Sequence, residues 1–219
     1  MTSLTIADPL AMKDLNAFTN LAHRLDPDGA MRLQVSSTVL VVTVAPLYPH
    51  GIGDSTPLVL AMRMLRLRGP EQDGLDEVVP LTNLKDRLAR EENGTELPVP
   101  PNSMLVSWSG IAPPRGEWTQ RDRISGDLLR STASAGIEEI SVGAPEGAGS
   151  HAVKGLRSRV WSRPMSAADG TELPGGLAFA ASGLKFVPES GADEYELMGS
   201  KNWLRVVTPG GHLLTRAKS

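Results

Sequence analysis

"STPLVLAMRMLRLRGP", residues 55–70, is the stretch whose reading decides the fold. Thr56 can cap a helix, Pro57 suits the first helical position, and Gly69 with Pro70 makes a good stop. Leu, Ala, Met and Arg are strong helix formers. Together these signals predict a helix over residues 57–68. Arg63, Arg66 and Arg68 also alternate well enough to permit a strand. One reading adds a helix to the fold and the other adds a strand to its sheet.

The flanks are easier to read. Asp8 followed by Pro9 reads as an N-cap and first helical residue, and Leu15, Phe18, Leu21, Ala22 and Leu25 follow at helical spacing. "DPDG" at 26–29 ends that helix in a turn. "MRLQVSSTVLVVTVAPLY" at 31–48 is rich in Val, Thr and Leu, which predicts one long strand or a hairpin broken near Ser36 and Ser37. Leu81, Leu84, Leu88 and Ala89 form the apolar face of another helix, stopped by Gly94.

"TELPVPPNS" at 95–103 reads as an extended connector. Ser125 caps a helix expected to run to about Ala135, with Gly136 as its stop. "GAPEGAGS" at 143–150 reads as a loop, and "LPGGLAFAASGLKF" as a short buried helix bounded by glycines. The end, "EYELM", "NWLRVVT" and "HLLTRA", reads as a β-meander, with Pro209 and Gly210 at the central positions of a type II turn. Strands and helices do not alternate as a βαβ series would. The fold class is therefore α+β: mixed helices with an N-terminal strand pair and a C-terminal antiparallel β-meander. Residues 1–219 read as a single compact domain; if it has two lobes, they are 1–98 and 103–219, joined by the 95–103 connector.

Composition narrows the function classes. With 219 residues, 40% hydrophobic and 21% charged, the chain can bury an ordinary globular core. It has no cysteine, which excludes disulfides, thiolate metal sites and a cysteine nucleophile. The first residues lack the basic and apolar regions of a signal peptide, and no apolar run reaches the length of a membrane span. These features predict a cytoplasmic protein with no membrane partner. The net charge of −3 argues against nucleic acid as a partner.

The sharpest catalytic candidate is "HGIGDSTP" at 50–57, directly after the strand pattern. Its Gly-Asp-Ser resembles the first block of the GDSL-type lipases and esterases, which implies Ser55 as nucleophile beside Asp54 and His50. The resemblance covers three residues. The family's Gly-x-Asn-Asp block is missing, and Pro209 stands where an Asp should precede His212 by three residues. The plainer reading is a loop in which Asp54 or Ser55 caps a turn. The glycines there and at 143–150 fit neither dinucleotide nor phosphate-loop spacing. His23, His50, His151 and His212 are scattered without ligand spacing, so no metal or other cofactor is expected.

"HAVKGLRSRVWSRP" sets Lys154, Arg157, Arg159 and Arg163 around Trp161, a pattern that can grip phosphate or single-stranded nucleic acid. The plainer reading is a Trp161 core anchor beneath a solvated arginine face. A second aromatic stretch, "MLVSWSGIAPPRGEWTQRDR" at 104–123, holds Trp108 and Trp118 among prolines and glycines. With only nine aromatic residues in the chain, one of these rings is expected to pack inward, and "MLVS" favours Trp108. Trp118, with Arg115 nearby, is then the exposed contact, since tryptophan is enriched at interface hot spots.

"GIGDSTPLVL", "DEVVPLTNL", "VWSRP" and "NWLRVVTPGGHLLTR" together resemble conserved hypothetical proteins of actinobacteria. The resemblance implies a cytoplasmic bacterial protein and assigns no activity. On the residues themselves, the expected function is a non-catalytic binding or adaptor protein that self-associates or takes a protein partner. Its binding residues would be Trp118, Arg115, Arg157, Arg159 and Trp161. The alternatives are a small-molecule hydrolase using the 50–55 loop, and a nucleic-acid or phosphate binder using residues 157–163.

Overall fold

A computed structural model describes residues 2–90, 94–144 and 149–217. They form two compact units, the first from residues 1–46 and 62–111, the second from 47–61 and 112–219. The fold is α+β, as the sequence predicts.

The first unit begins with β1 (Ser3–Thr5) and α1 (Pro9–Leu25). Asp8 caps α1 by accepting from the Leu10 N–H at 2.8 Å, and Met12, Leu15, Phe18 and Ala22 turn one face into the core. β2 (Ala30–Ser36) and β3 (Val39–Leu47) form the expected hairpin. Ser37 turns the corner at φ 53°, and its N–H is held by the Asp73 carboxylate at 2.7 Å.

Residues 59–66 are a strand, β4 (Val59–Arg66), and not the helix that the local signals predict. Helix propensity is a weak prior that tertiary context overrides. Here the neighbours are β3 on one side and β12 (Gly211–Arg216) on the other, so β4 is a central strand. Val59, Leu60 and Ala61 are buried in succession, as suits a strand covered on both faces. Farther along, buried Leu65 and Leu67 alternate with exposed Met64, Arg66 and Arg68, a period of two. Pro57 and Gly69 punctuate a strand as well as they would a helix.

β5 (Asp76–Pro80), α2 (Leu81–Arg90) and β6 (Glu96–Pro98) complete this unit, with the strand order β5-β2-β3-β4. β6 pairs antiparallel with β1, so part of the expected connector is sheet. α1 packs on α2, whose Leu81, Leu84 and Leu88 are buried as the spacing predicts. Residues 91–93, at the end of that predicted helix, lie outside the described residues.

The second unit contains β7 (Thr119–Ser125), α3 (Gly126–Gly143), α4 (Ser150–Ser162), β8 (Pro164–Ser166), β9 (Glu172–Pro174) and α5 (Gly176–Gly183). β10 (Glu194–Ser200), β11 (Trp203–Thr208) and β12 follow as the predicted meander, with the order β4-β12-β11-β10-β7. Ser125 caps α3 through the Leu128 N–H at 3.2 Å. α3 does not stop at Gly136. That glycine lies inside the helix because a Cβ there would overlap the Trp161 ring, so it serves a close approach and not a cap. Residues 145–148 of the expected glycine-rich loop lie outside the described residues. In the last turn the positive φ falls on Gly211, at 135°, and not on Gly210, so the turn is not type II. Gly210 is small for another reason: a Cβ there would sit 2.5 Å from the Phe186 Cα.

Candidate functional site

The 50–55 loop holds its polar side chains in a closed local network. Asp54 accepts from the His50 N–H at 2.9 Å, the Thr56 N–H at 2.9 Å and the Thr56 hydroxyl at 2.6 Å. The His50 N–H is the strongest influence, and these donors lower the carboxyl to about 2 despite some opposing burial. A carboxylate so stabilised is a turn organiser and a weak base. The Ser55 hydroxyl shares a 3.0 Å hydrogen bond with Ser158 on α4, and Ser162 donates to the Ser55 carbonyl at 2.7 Å. The His50 ring packs against Tyr48, with centroids 4.3 Å apart. Among the described residues, no imidazole hydrogen-bonds Ser55, and no group of three or more His, Asp or Glu could hold a metal ion.

Helix α4 carries the basic stretch. Lys154 and Arg159 are exposed, and the Arg157 guanidinium lies 5.6 Å from the centre of the Phe179 ring. Arg163, just past the helix, is neutralised by a bidentate pair with Glu139. Trp161 is 1% exposed and stacks on Phe179 with centroids 4.8 Å apart, so the ring belongs to the core of this unit. That corrects its assignment as a binding residue: α4 turns the ring inward while Lys154 and Arg159 face solvent.

The two tryptophans of the 104–123 stretch differ as expected in burial. Trp108, on a single 3-10 turn at Ser107–Gly110, is 3% exposed in the first unit. Trp118, in the second unit, is half-buried, and its indole N–H donates to the Pro114 carbonyl at 3.0 Å. The Arg205 guanidinium sits 4.3 Å from the Trp118 ring centre. Ser200 on β10 donates to the Gly116 carbonyl at 3.2 Å, so the loop is strapped across the meander. Arg115 is exposed in that loop.

Sequence reasoning missed Arg205. The signal was its alternation with Trp203 and Val207 on β11, which sets all three on one face. Cross-strand pairing adds Arg216, Leu214 and His212 from β12. Burial, and then the charge of Arg205, lower the His212 imidazole below its ordinary value. A groove of about 690 Å³ runs elsewhere in this unit, floored by Leu129 and Ala181 and edged by Ile137, Val142, Arg130 and Lys185. Ile137 and Val142 are 48% and 78% exposed.

Asp122 was also missed. It is 3% exposed yet accepts from three backbone N–H groups: Arg123 at 2.6 Å, Asp169 at 2.9 Å and Thr171 at 3.1 Å. A register shift between Leu197 and Met198 on β10 accompanies the turn of this carboxylate beneath the β8–β9 hairpin. Burial is the largest influence and raises its pKa, but the backbone donors together win and the net shift is downward.

The fold is similar to that of bacterial DNA polymerase III beta sliding clamps. The chain is similar over 99% of its length to the DNA polymerase III beta sliding clamp of Bartonella birtlesii, solved with griselimycin, at 12% identity and TM-score 0.52. It is similar over the same share to the Pseudomonas aeruginosa DNA polymerase III beta subunit, at 13% identity and TM-score 0.51. The Helicobacter pylori beta clamp in complex with carprofen gives 7% identity and TM-score 0.54 over 99% of the chain. The chain covers 65%, 64% and 63% of those three proteins, less than two thirds of their length. No curated protein matches at the sequence level. Residues 1–110 match the family described as domain of unknown function DUF8010, and residues 113–219 match domain of unknown function DUF8185. The chain belongs to the first of these families, whose model spans half of it.

Proposed function

We propose that this chain is a non-catalytic binding protein that self-associates and engages protein partners through a sliding-clamp-like scaffold. The likeness to sliding clamps over 99% of the chain carries the reading. The chemistry of the 50–55 loop supports it, because Ser55 is bonded to Ser158 and Asp54 is too acidic to serve as a base. The two ends of the strand order, β5 and β7, are the natural surfaces for self-association, since edge strands keep unpaired backbone groups. Both are partly guarded: the Met104 N–H donates to the Val78 carbonyl at 2.7 Å, and the Ala168 N–H donates to the Arg123 carbonyl at 3.0 Å. The remaining edge is what a second copy would meet. A cytoplasmic location and an actinobacterial source belong to the same proposal. Sedimentation velocity across a range of protein concentrations tests it, and a monomer at every concentration would overturn it.

A second reading keeps nucleic acid as a partner. The acidic net charge argues against it, but likeness to a subunit of a DNA polymerase argues the other way. Its observation is α4, which carries Lys154, Arg157 and Arg159 and no acidic residue. Retention on immobilised DNA that weakens steeply with salt, and weakens further in Lys154→Glu/Arg159→Glu, is the expected result. Retention indifferent to both would remove this reading.

A further inference from the structure

We propose that the face of β11 and β12 carrying Arg205 is an oxyanion site, in which the Arg205 guanidinium, laid on the Trp118 ring, receives a carboxylate or phosphate group. The proposal does not depend on self-association. Among the described residues, Arg32, Arg63, Arg123, Arg130 and Arg163 each have a carboxylate partner. Arg205 has none, although it is half-buried and its Nε is shut off from solvent without a hydrogen-bond partner. A cation withdrawn from water is normally paired. Burial lowers the Arg205 pKa, the mark of a charge held without compensation.

The surroundings suit an anion. On the β12 side, His212 and Arg216 flank Leu214, the residue directly opposite Arg205, and both project to the same face. Arg216 lies 5.5 Å from the centre of the Trp203 ring, so the two arginines that lie over indole rings, Arg205 and Arg216, come from adjacent strands. Trp118 holds the Arg205 plane fixed, which leaves the terminal nitrogens as a preset fork of the shape that a carboxylate or phosphate accepts. On the β10 side the opposite residue is Met198, with Ser200 and Glu196 beyond it. Ser200 is engaged with the Gly116 carbonyl. Glu196 is the acidic neighbour on this face, and it lies across from Arg123 and Val207, away from β12. The anion therefore belongs on the β12 side of Arg205, between His212 and Arg216.

Nuclear magnetic resonance titration tests the site, with inorganic phosphate and acetate as probes and chloride as the control at constant ionic strength. The Trp118 indole N–H and the Arg205 Nε–H should shift together and saturate. Phosphate alone saturating points to a phosphoryl ligand, acetate alone to a carboxylate from a protein partner, and both to a general oxyanion site; each supports the proposal. Arg205→Lys keeps the charge but loses the fork, and should bind at least tenfold more weakly. Arg159→Ala, on α4, should bind as the parent does. Affinity should rise as pH falls through the lowered His212 pKa, and His212→Gln should remove that pH dependence without unfolding the strand. Shifts that fail to saturate, that chloride reproduces, or that persist at full affinity in Arg205→Lys would overturn the site.

Discussion

Alanine substitution at two helical glycines should give effects of opposite sign. Gly155 lies on the exposed side of α4, and a Cβ there meets nothing within 4 Å. Gly155→Ala should therefore stabilise by the helix-propensity difference, about 0.8–1 kcal/mol. Gly136 in α3 has the same nominal gain. Its Cβ, however, would lie 2.5 Å from Trp161 Cη2 and 3.2 Å from Val160 Cγ1. The ring cannot retreat, because it is 1% exposed and stacked on Phe179. Overpacking of this kind costs about 1–3 kcal/mol and more when the neighbour is rigid, so Gly136→Ala should lose about 1–2 kcal/mol net. Thermal melts of both variants decide the matter. For a chain of this size about 2–4 °C accompanies each kcal/mol, so the two midpoints should move apart in opposite directions. A stabilised Gly136→Ala would refute the packing of Trp161 against α3. Trp161→Leu in the same chain should return part of the loss, since it empties the contested space.

Three further outcomes follow from the same geometry. Asp122→Asn should lose about 1–3 kcal/mol, because one amide oxygen cannot satisfy three backbone donors. Asp122 has a lowered pKa in the folded state, so its contribution is present above the ordinary carboxylate value of about 4 and is lost as pH falls below it. Acid melts of Asp122→Asn should accordingly be flatter below about pH 4 than those of the parent; identical profiles would mean the carboxylate is not held as described. Trp108→Ala, which empties a buried site, should cost about 3–5 kcal/mol. Trp118→Ala should cost about 1–2 kcal/mol through the lost stack on Arg205, and equal losses in both variants would contradict their difference in burial. Ser55→Ala should lose about 1 kcal/mol with the Ser158 hydrogen bond and show no change in ester turnover, and a turnover that Ser55→Ala abolishes would restore the hydrolase reading.

Elements with signals at both ends were legible from the sequence. α1 has its Asp8 cap and apolar face, and the meander has β-branched runs between turn residues. β4 was misread because its residues favour a helix in isolation, whereas β3 and β12 supply backbone partners from both sides that no local window contains. Gly136 was misread for a related reason: a glycine needed for close approach looks the same in sequence as one that ends a helix. Trp108 and Trp118 separated correctly, since the apolar and polar character of their neighbours tracks burial. Alternation on β11 groups Arg205 with Trp203 and Val207, but the rest of that face depends on register. Arg205, His212 and Arg216 share a face only when β11 and β12 are paired, and Trp118 reaches Arg205 from a loop more than eighty residues away.

Hydrogen exchange at β5 and β7, followed from low to high protein concentration, tests the central claim of a self-associating scaffold most directly. Backbone amides of an edge strand become protected when a second copy pairs with it. Residues 76–80 or 119–125 should slow as concentration rises, while the interior strands β3 and β11 stay constant. Exchange at both edges that is independent of concentration, in a protein that sediments as a monomer, would contradict the account.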